Sequence, residues 1–373
     1  MVGEVSLRGY EVIDSTASSY TCQASLVING VLQAPLTNSI TYQNTLTPLL
    51  TSISPRFGSV VGGELVTFNG AGFSTNTADY SVVIDGRVCA VQTATASQFT
   101  CLTDKRPGLY PNPKLEIKIA GKGSVATQGL TFRYVNYWSE PLTWGGEFAP
   151  IEGDMVYVPK GLNLLVDVDS TPVLSAVVVE GGLIFPSNPN PNHMRTFDAH
   201  YVLVRGGLFE VGTEQFPYTS KLVITMHSNR SSPELPIFGN KVIAMYNGVL
   251  DLHGKPRNPT WTELDITADI GATTIKMIRD VDWEVGEEIV IAPTGYFNFE
   301  AEQRTIIAVD RTNPSKPILT LDKPLEFQHF AGIQTFGTTG QDFIEMRAEV
   351  GLLTRNVMYR GDPETSAANE YGA

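Results

Sequence analysis

A glycine followed by apolar residues two positions apart recurs in Gly181-Gly-Leu183-Ile-Phe185, Gly207-Leu-Phe209-Glu-Val211 and Gly248-Val-Leu250-Asp-Leu252. Apolar residues at this spacing share one face of a strand, so each copy reads as a half-buried strand opened by a glycine. The glycines lie 26 and then 41 positions apart. A spacing of about 25 suits one coil of a parallel β-solenoid, in which each coil returns the chain to the same corner. The longer gap requires an insertion, and the polar stretch from Ser228 to Pro236 supplies it. That stretch carries the Asn-x-Ser/Thr sequon of the chain, at Asn229, in the kind of exposed loop a glycan requires.

The remainder also keeps to short extended elements. Glycines (34) and prolines (23) separate short runs of Val, Ile, Leu, Thr, Tyr and Phe, and alternating runs such as Glu116-Ile-Lys-Ile119 are common. No segment shows ten to twelve residues of helical period between caps, so the chain reads as nearly all β. Charged residues are 17% of 373, below the roughly 25% of an average domain, while 42% are hydrophobic. This is the composition of a folded chain, long enough for two or three domains. The net charge of −13 provides no basic footprint for nucleic acid or an anionic bilayer, which excludes both as partners. Nothing approaches the ~20 apolar residues of a spanning helix, because Val173 to Phe185 is broken by Glu180, Gly181 and Gly182. Met1-Val-Gly-Glu-Val5 lacks the basic patch and apolar core of a secretory signal, which at face value suggests the cytoplasm.

The cysteines argue otherwise. Ser15 to Cys22 and Thr95 to Cys101 share a Ser/Thr-rich lead-in, an aromatic, a threonine and a cysteine, and a β-like run follows each. In the second copy Cys89 lies twelve positions before Cys101, with Val82-Val-Ile84 and an Asp85-Gly86 turn ahead of it. Two strands on a short connection bring such cysteines within bridging distance, and closing that loop contributes about 3 kcal/mol. Cys22 has no such partner before it, as expected if the chain is a piece of a longer disulfide-bonded array. Three buried thiols in a cytosolic protein are the alternative.

Pro55-Arg-Phe-Gly58-Ser-Val-Val-Gly62-Gly63-Glu-Leu-Val66-Thr67-Phe-Asn-Gly70-Ala-Gly72-Phe73 resembles the opening of TIG (IPT) domains, which implies an immunoglobulin-like β-sandwich. Read alone, Pro55 and Gly58 mark a turn, Gly62-Gly63 a tight hairpin, and Gly70 and Gly72 a second turn or bulge. Trp138 to Trp144, Pro150 to Val156, Gly161, Gly181, Gly206-Gly207, Gly212 and Gly239 resemble the eight-glycine domain of fibrocystins and cell-surface hyaluronidases. Asn247 to Gly254, Trp261-Thr262 and Trp283 to Thr294 continue that likeness. Glu345 to Asn356 resembles the lead-in to a parallel β-helix in fibrocystin-L-like receptors. Trp261 and Trp283 are only 22 positions apart, which leaves no room for the extra domain the hyaluronidases carry there. The implied layout is the tail of one TIG domain (1–47), a TIG domain (48–135), an eight-glycine domain (136–260) and the first coils of a parallel β-helix (261–373).

Chemical constellations are sparse. No phosphate-binding glycine loop, nucleophile elbow or paired-histidine motif is present, and no cofactor or metal is implied. Asp251 and His253 alternate across Leu252, so both face one side, as half of a ligand or acid/base site or as a solvated solenoid face. Asp167 with Asp169, and Asp280 with Asp282, share a strand face without the further oxygens of a calcium loop. Tyr296, Phe297 and Phe299 form an aromatic cluster that either contacts a glycan or protein or tucks onto the solenoid's side. The expectation is a non-catalytic extracellular fragment of a fibrocystin-L-like cell-surface receptor. It would bind an unidentified protein or glycan, with its membrane anchor elsewhere. The alternatives are a hyaluronan-binding or hyaluronan-cleaving protein and a structural spacer of a cell-surface or ciliary coat.

Overall fold

The computed structural model describes residues 19–23, 27–28, 31–34, 39–43, 47–106, 114–229, 231–235, 237–337 and 342–364. Among them the regular elements are strands and three short 3₁₀ turns. In the first 47 residues, β1 (Ser19–Gln23) pairs antiparallel with β4 (Ser39–Gln43) around the hairpin of β2 (Val27–Ile28) and β3 (Val31–Leu32). Cys22 stands opposite Ile40 in that ladder, and its side chain lies outside the described set.

The sandwich follows as β5 (Leu49–Ser54), β6 (Phe57–Ser59), β7 (Leu65–Ala71), β8 (Tyr80–Ile84), β9 (Arg87–Val88), β10 (Ala90–Ala94), β11 (Gln98–Leu102), β12 (Leu115–Ile119), β13 (Gly123–Ser124) and β14 (Arg133–Tyr137). Its antiparallel sheets run β10-β11-β7-β5 and β13-β12-β8-β9. Strict alternation turns Val66, Phe68, Phe99 and Cys101 of one sheet toward Val82, Ile84, Ile117 and Ile119 of the other. Phe68 stacks on Phe99 at 4.7 Å, and Phe73 meets Phe99 edge-on. The Asp85-Gly86 turn, with φ of 50° and 75°, closes β8 onto β9 as its residue types require.

Cys89 and Cys101 are disulfide-bonded with Cα atoms 5.4 Å apart. The Cys89 N–H donates to Val82 O of β8, while Cys101 lies on β11, so the bond ties one sheet to the other. Gly62-Gly63 is not a hairpin. Both have positive φ, but they link β6 and β7, which belong to different sheets, because β6 pairs in parallel with β14 instead.

That pairing carries the sandwich into the solenoid without a break. The solenoid strands are β15 (Met155–Val158), β16 (Asn163–Leu165), β17 (Ala176–Val179), β18 (Gly182–Phe185), β19 (Met194–Ala199), β20 (Tyr201–Arg205), β21 (Leu208–Val211), β22 (Lys221–Met226), β23 (Val242–Tyr246) and β24 (Val249–Leu252). One parallel sheet runs β6-β14-β16-β18-β21-β24, a second runs β15-β17-β20-β23, and β19 pairs with β22 on the third side. Inside, Val156, Val158, Val177, Val179, Val202 and Val204 face a buried Phe185–Phe197–Phe209 cluster. Each such aromatic contributes about 1.5–3 kcal/mol by burial.

The glycine repeat is the visible trace of this stacking. Leu183, Phe209 and Leu250 share one register, and Phe185, Val211 and Leu252 the next. Leu208 N–H donates to Gly181 O, and Val249 N–H to Gly207 O. A Cβ on Gly207 would lie 2.5 Å from Gly181 O, so the corner requires glycine for space rather than for an unusual φ.

Residues 261–352 differ from the expected first coils of a parallel β-helix. β25 (Trp261–Glu263), β26 (Thr274–Lys276), β27 (Glu288–Ile291), β28 (Glu302–Asp310), β29 (Ile318–Leu321) and β32 (Glu349–Leu352) form an antiparallel sheet. β30 (Ala331–Phe336) and β31 (Asp342–Arg347) form a separate ribbon. The sheet has its own core around Trp283, Ile289, Ile306, Leu319 and Val350. The solenoid resumes only at β33 (Val357–Gly361), which pairs in parallel with β22 and completes the third side of the coil begun by β23 and β24. The two ends of this excursion meet at Asn356. Its Nδ2 donates to Tyr218 O and Ser220 O, each at 2.7 Å, and its Oδ1 accepts from Lys255 N–H at 2.8 Å.

Candidate functional site

Along the outward face of the shared sheet, the register aligns Tyr137, Leu165, Ile184, Glu210 and Asp251. The sandwich covers the first part, where Val135, Leu165 and Ile184 are buried with Phe57 and Tyr137 packed against them. Beyond Ile184 the column becomes charged. Glu210 is 2% exposed, a position a lone carboxylate does not tolerate. Arg133, on the face of β14 shared with Val135, donates to it from Nη1, and Arg56 Nη2 lies 3.9 Å away. Arg56 is pinned in turn, 3.9 Å above the ring of Phe216. Burial lowers the Arg56 pKa from its ordinary value; Glu210 opposes this and Arg133 adds to it.

Asp251 follows Glu210 in the column but lies on the last strand of the sheet, where nothing covers it completely. Its Oδ1 is 2.6 Å from His253 Nδ1. Both line a cleft of about 330 Å³ with Arg56, Arg133, Thr131 and the Thr213–Phe216 loop. That loop is closed by reciprocal backbone bonds between Thr213 and Phe216, and His253 is held by Val211 O and Tyr218 N–H. The alternation of Asp251 and His253 thus places them together as expected, but at a domain junction instead of on an open face. Sequence reasoning missed Arg56, Arg133, Glu210 and Phe216. The one local signal was the alternation of Arg133 with Phe132 and Tyr134; its partner Glu210 is 77 positions away.

Tyr296, Phe297 and Phe299 lie in the antiparallel unit, 93%, 50% and 65% exposed, so they do not tuck onto the solenoid. Phe297 stacks on Phe299 at 4.9 Å and meets Tyr296 edge-on. Among the described residues, no hydrogen bond, ion pair or ring contact joins this trio to Asp251 or His253. Of the other carboxylates singled out by spacing, Asp167, Asp169 and Asp282 have structural duties, and none of them lies on a strand. Asp167 accepts from Ser139, Asp169 from His193, and Asp282 with Glu287 holds Arg257. Asn229 is half-buried in its loop, its Oδ1 accepting from Ser231 N–H at 2.8 Å. Among the described residues no group of His, Cys, Asp and Glu is placed to hold a metal ion, and no helix is long and apolar enough to cross a membrane.

A sandwich feeding one continuous sheet into a glycine-cornered solenoid defines the class, and two family models match it. Residues 48–134 match the IPT/TIG domain and residues 143–265 the G8 domain. Fibrocystin-L of Homo sapiens is 36% identical over 365 residues, and that of Mus musculus 37% over 340, covering 96% and 90% of this chain. The chain is fibrocystin-L-like, and it spans 8% of the length of these two relatives. A G8 domain-containing protein of Dictyostelium discoideum is 26% identical over 61% of this chain and 15% of its own length. Among solved structures, the Plexin A4 extracellular region superposes only loosely, at a TM-score of 0.22 and 12% identity over 86% of this chain and 22% of that one.

Proposed function

We propose that this chain is part of the ectodomain of a cell-surface receptor, facing the extracellular space, that binds a protein or glycan ligand without cleaving it. The membrane anchor would lie in other parts of the protein, and Asn229 would carry a glycan. The observation that supports this most is the cleft at the sandwich–solenoid junction, where polar side chains from both domains converge on a frame fixed by a shared sheet. The inter-sheet disulfide supports an oxidising compartment. The exposed Tyr296–Phe297–Phe299 cluster offers a second contact surface on the antiparallel unit.

The test is binding of the immobilised, non-reduced chain to arrayed glycans and purified ectodomains. Saturable capture supports the reading. Failure to capture anything moves weight to the structural spacer, which the unbroken sheet also suits. Size reduction of long hyaluronan, abolished in Asp251→Ala or His253→Ala, would establish the cleaving alternative.

A further inference from the structure

We propose that the junction cleft is a binding site for a single neutral pyranose ring of a glycan, an inference that rests on the ligand-binding reading above. Size is the first argument. About 330 Å³ is at the lower end of small-molecule sites and accommodates one ring.

Charge is the second argument. Arg56 and Arg133 are balanced by the buried Glu210 and by Glu214 on the cleft wall, and Asp251 is paired with His253. A phosphate, sulfate or uronate would enter with no surplus of positive charge to receive it, whereas an uncharged polyol pays no such penalty.

Unused hydrogen-bonding capacity is the third. The Asp251–His253 contact uses Oδ1 and Nδ1, and among the described residues Oδ2 and Nε2 have no hydrogen-bond partner. Gln215 adds an amide with both a donor and an acceptor. Sugar hydroxyls both donate and accept, which matches such a mixed set. The face of Phe216 is already covered by Arg56, so the site recognises hydroxyl geometry and not an apolar sugar face.

The experiment is saturation-transfer NMR and titration calorimetry on the full chain with methyl glycosides of galactose, glucose, mannose and fucose, with glucuronate as the anionic comparator. At least one neutral glycoside should bind saturably. Asp251→Asn and Gln215→Ala should each weaken it at least tenfold, while Phe148→Ala, 95% exposed and outside the cleft lining, leaves it unchanged. Glucuronate binding as tightly as the best neutral glycoside would overturn the proposal. So would the absence of neutral binding, or binding indifferent to both cleft variants. A protein or glycan captured on the arrays but insensitive to Asp251→Asn would defeat the pyranose site while leaving the receptor reading intact.

Discussion

Asn356→Ala tests how the interrupted coil is closed. The side chain makes three hydrogen bonds, two to carbonyls of the preceding coil and one from Lys255, where the excursion departs. At about 1 kcal/mol net each they total about 3 kcal/mol. Asn356 is only half-buried, so water replaces part of this, and the expected loss is about 2 kcal/mol. Because the antiparallel unit has a separate core, the damage should be local. Hydrogen exchange should accelerate at Val357–Gly361 and at Leu222, whose N–H donates to Asn356 O, while Ile289 and Ile291 keep their protection. Asn356→Asp, which keeps an acceptor for Lys255 but sets a carboxylate against two carbonyls, should be at least as damaging. If urea midpoints and exchange rates of both variants equal those of the parent, the β22–β33 ladder alone closes the coil and the reasoning is wrong.

Four further outcomes are expected. Phe209→Ala empties the centre of the solenoid and should cost about 3–5 kcal/mol in urea unfolding, and Gly207→Ala, whose Cβ meets two backbone carbonyls, should cost about 1–3 kcal/mol. Cys89→Ala with Cys101→Ala should lower stability by about 3 kcal/mol, and mass spectrometry of unreduced, alkylated parent protein should find neither thiol free. Burial raises the Glu302 carboxyl pKa, but bonds from the Glu326 and Phe327 N–H groups, His329 and Arg304 outweigh it, so the pKa falls below the ordinary 4.5. Its contribution is therefore complete above the unfolded-state value and lost as pH falls through the lowered folded value. Glu302→Gln should reduce stability at neutral pH and flatten the acid limb of a urea-midpoint profile.

The sequence by itself determined the elements and much of their stacking. Alternation marked the strands, Asp85-Gly86 the hairpin, and the twelve-residue spacing the Cys89–Cys101 bond. The glycines at 181, 207 and 248 marked the coil corners, because only a residue without a side chain fits against the carbonyl of the coil before. These are local signals, or repeats of one local signal. The tertiary structure decided which strand pairs with which over distance. Glu288–Ile291 alternates as a solenoid strand would, yet pairs antiparallel, since a single strand's pattern reports its buried face and not its partner's direction. Likewise Arg133 finds Glu210, and Asp251 joins the cleft, only because β14 continues the solenoid sheet and carries the sandwich over its outer face. A site assembled from residues 56 to 253 has no local signature, and its chemistry appears only once the sheet has aligned them.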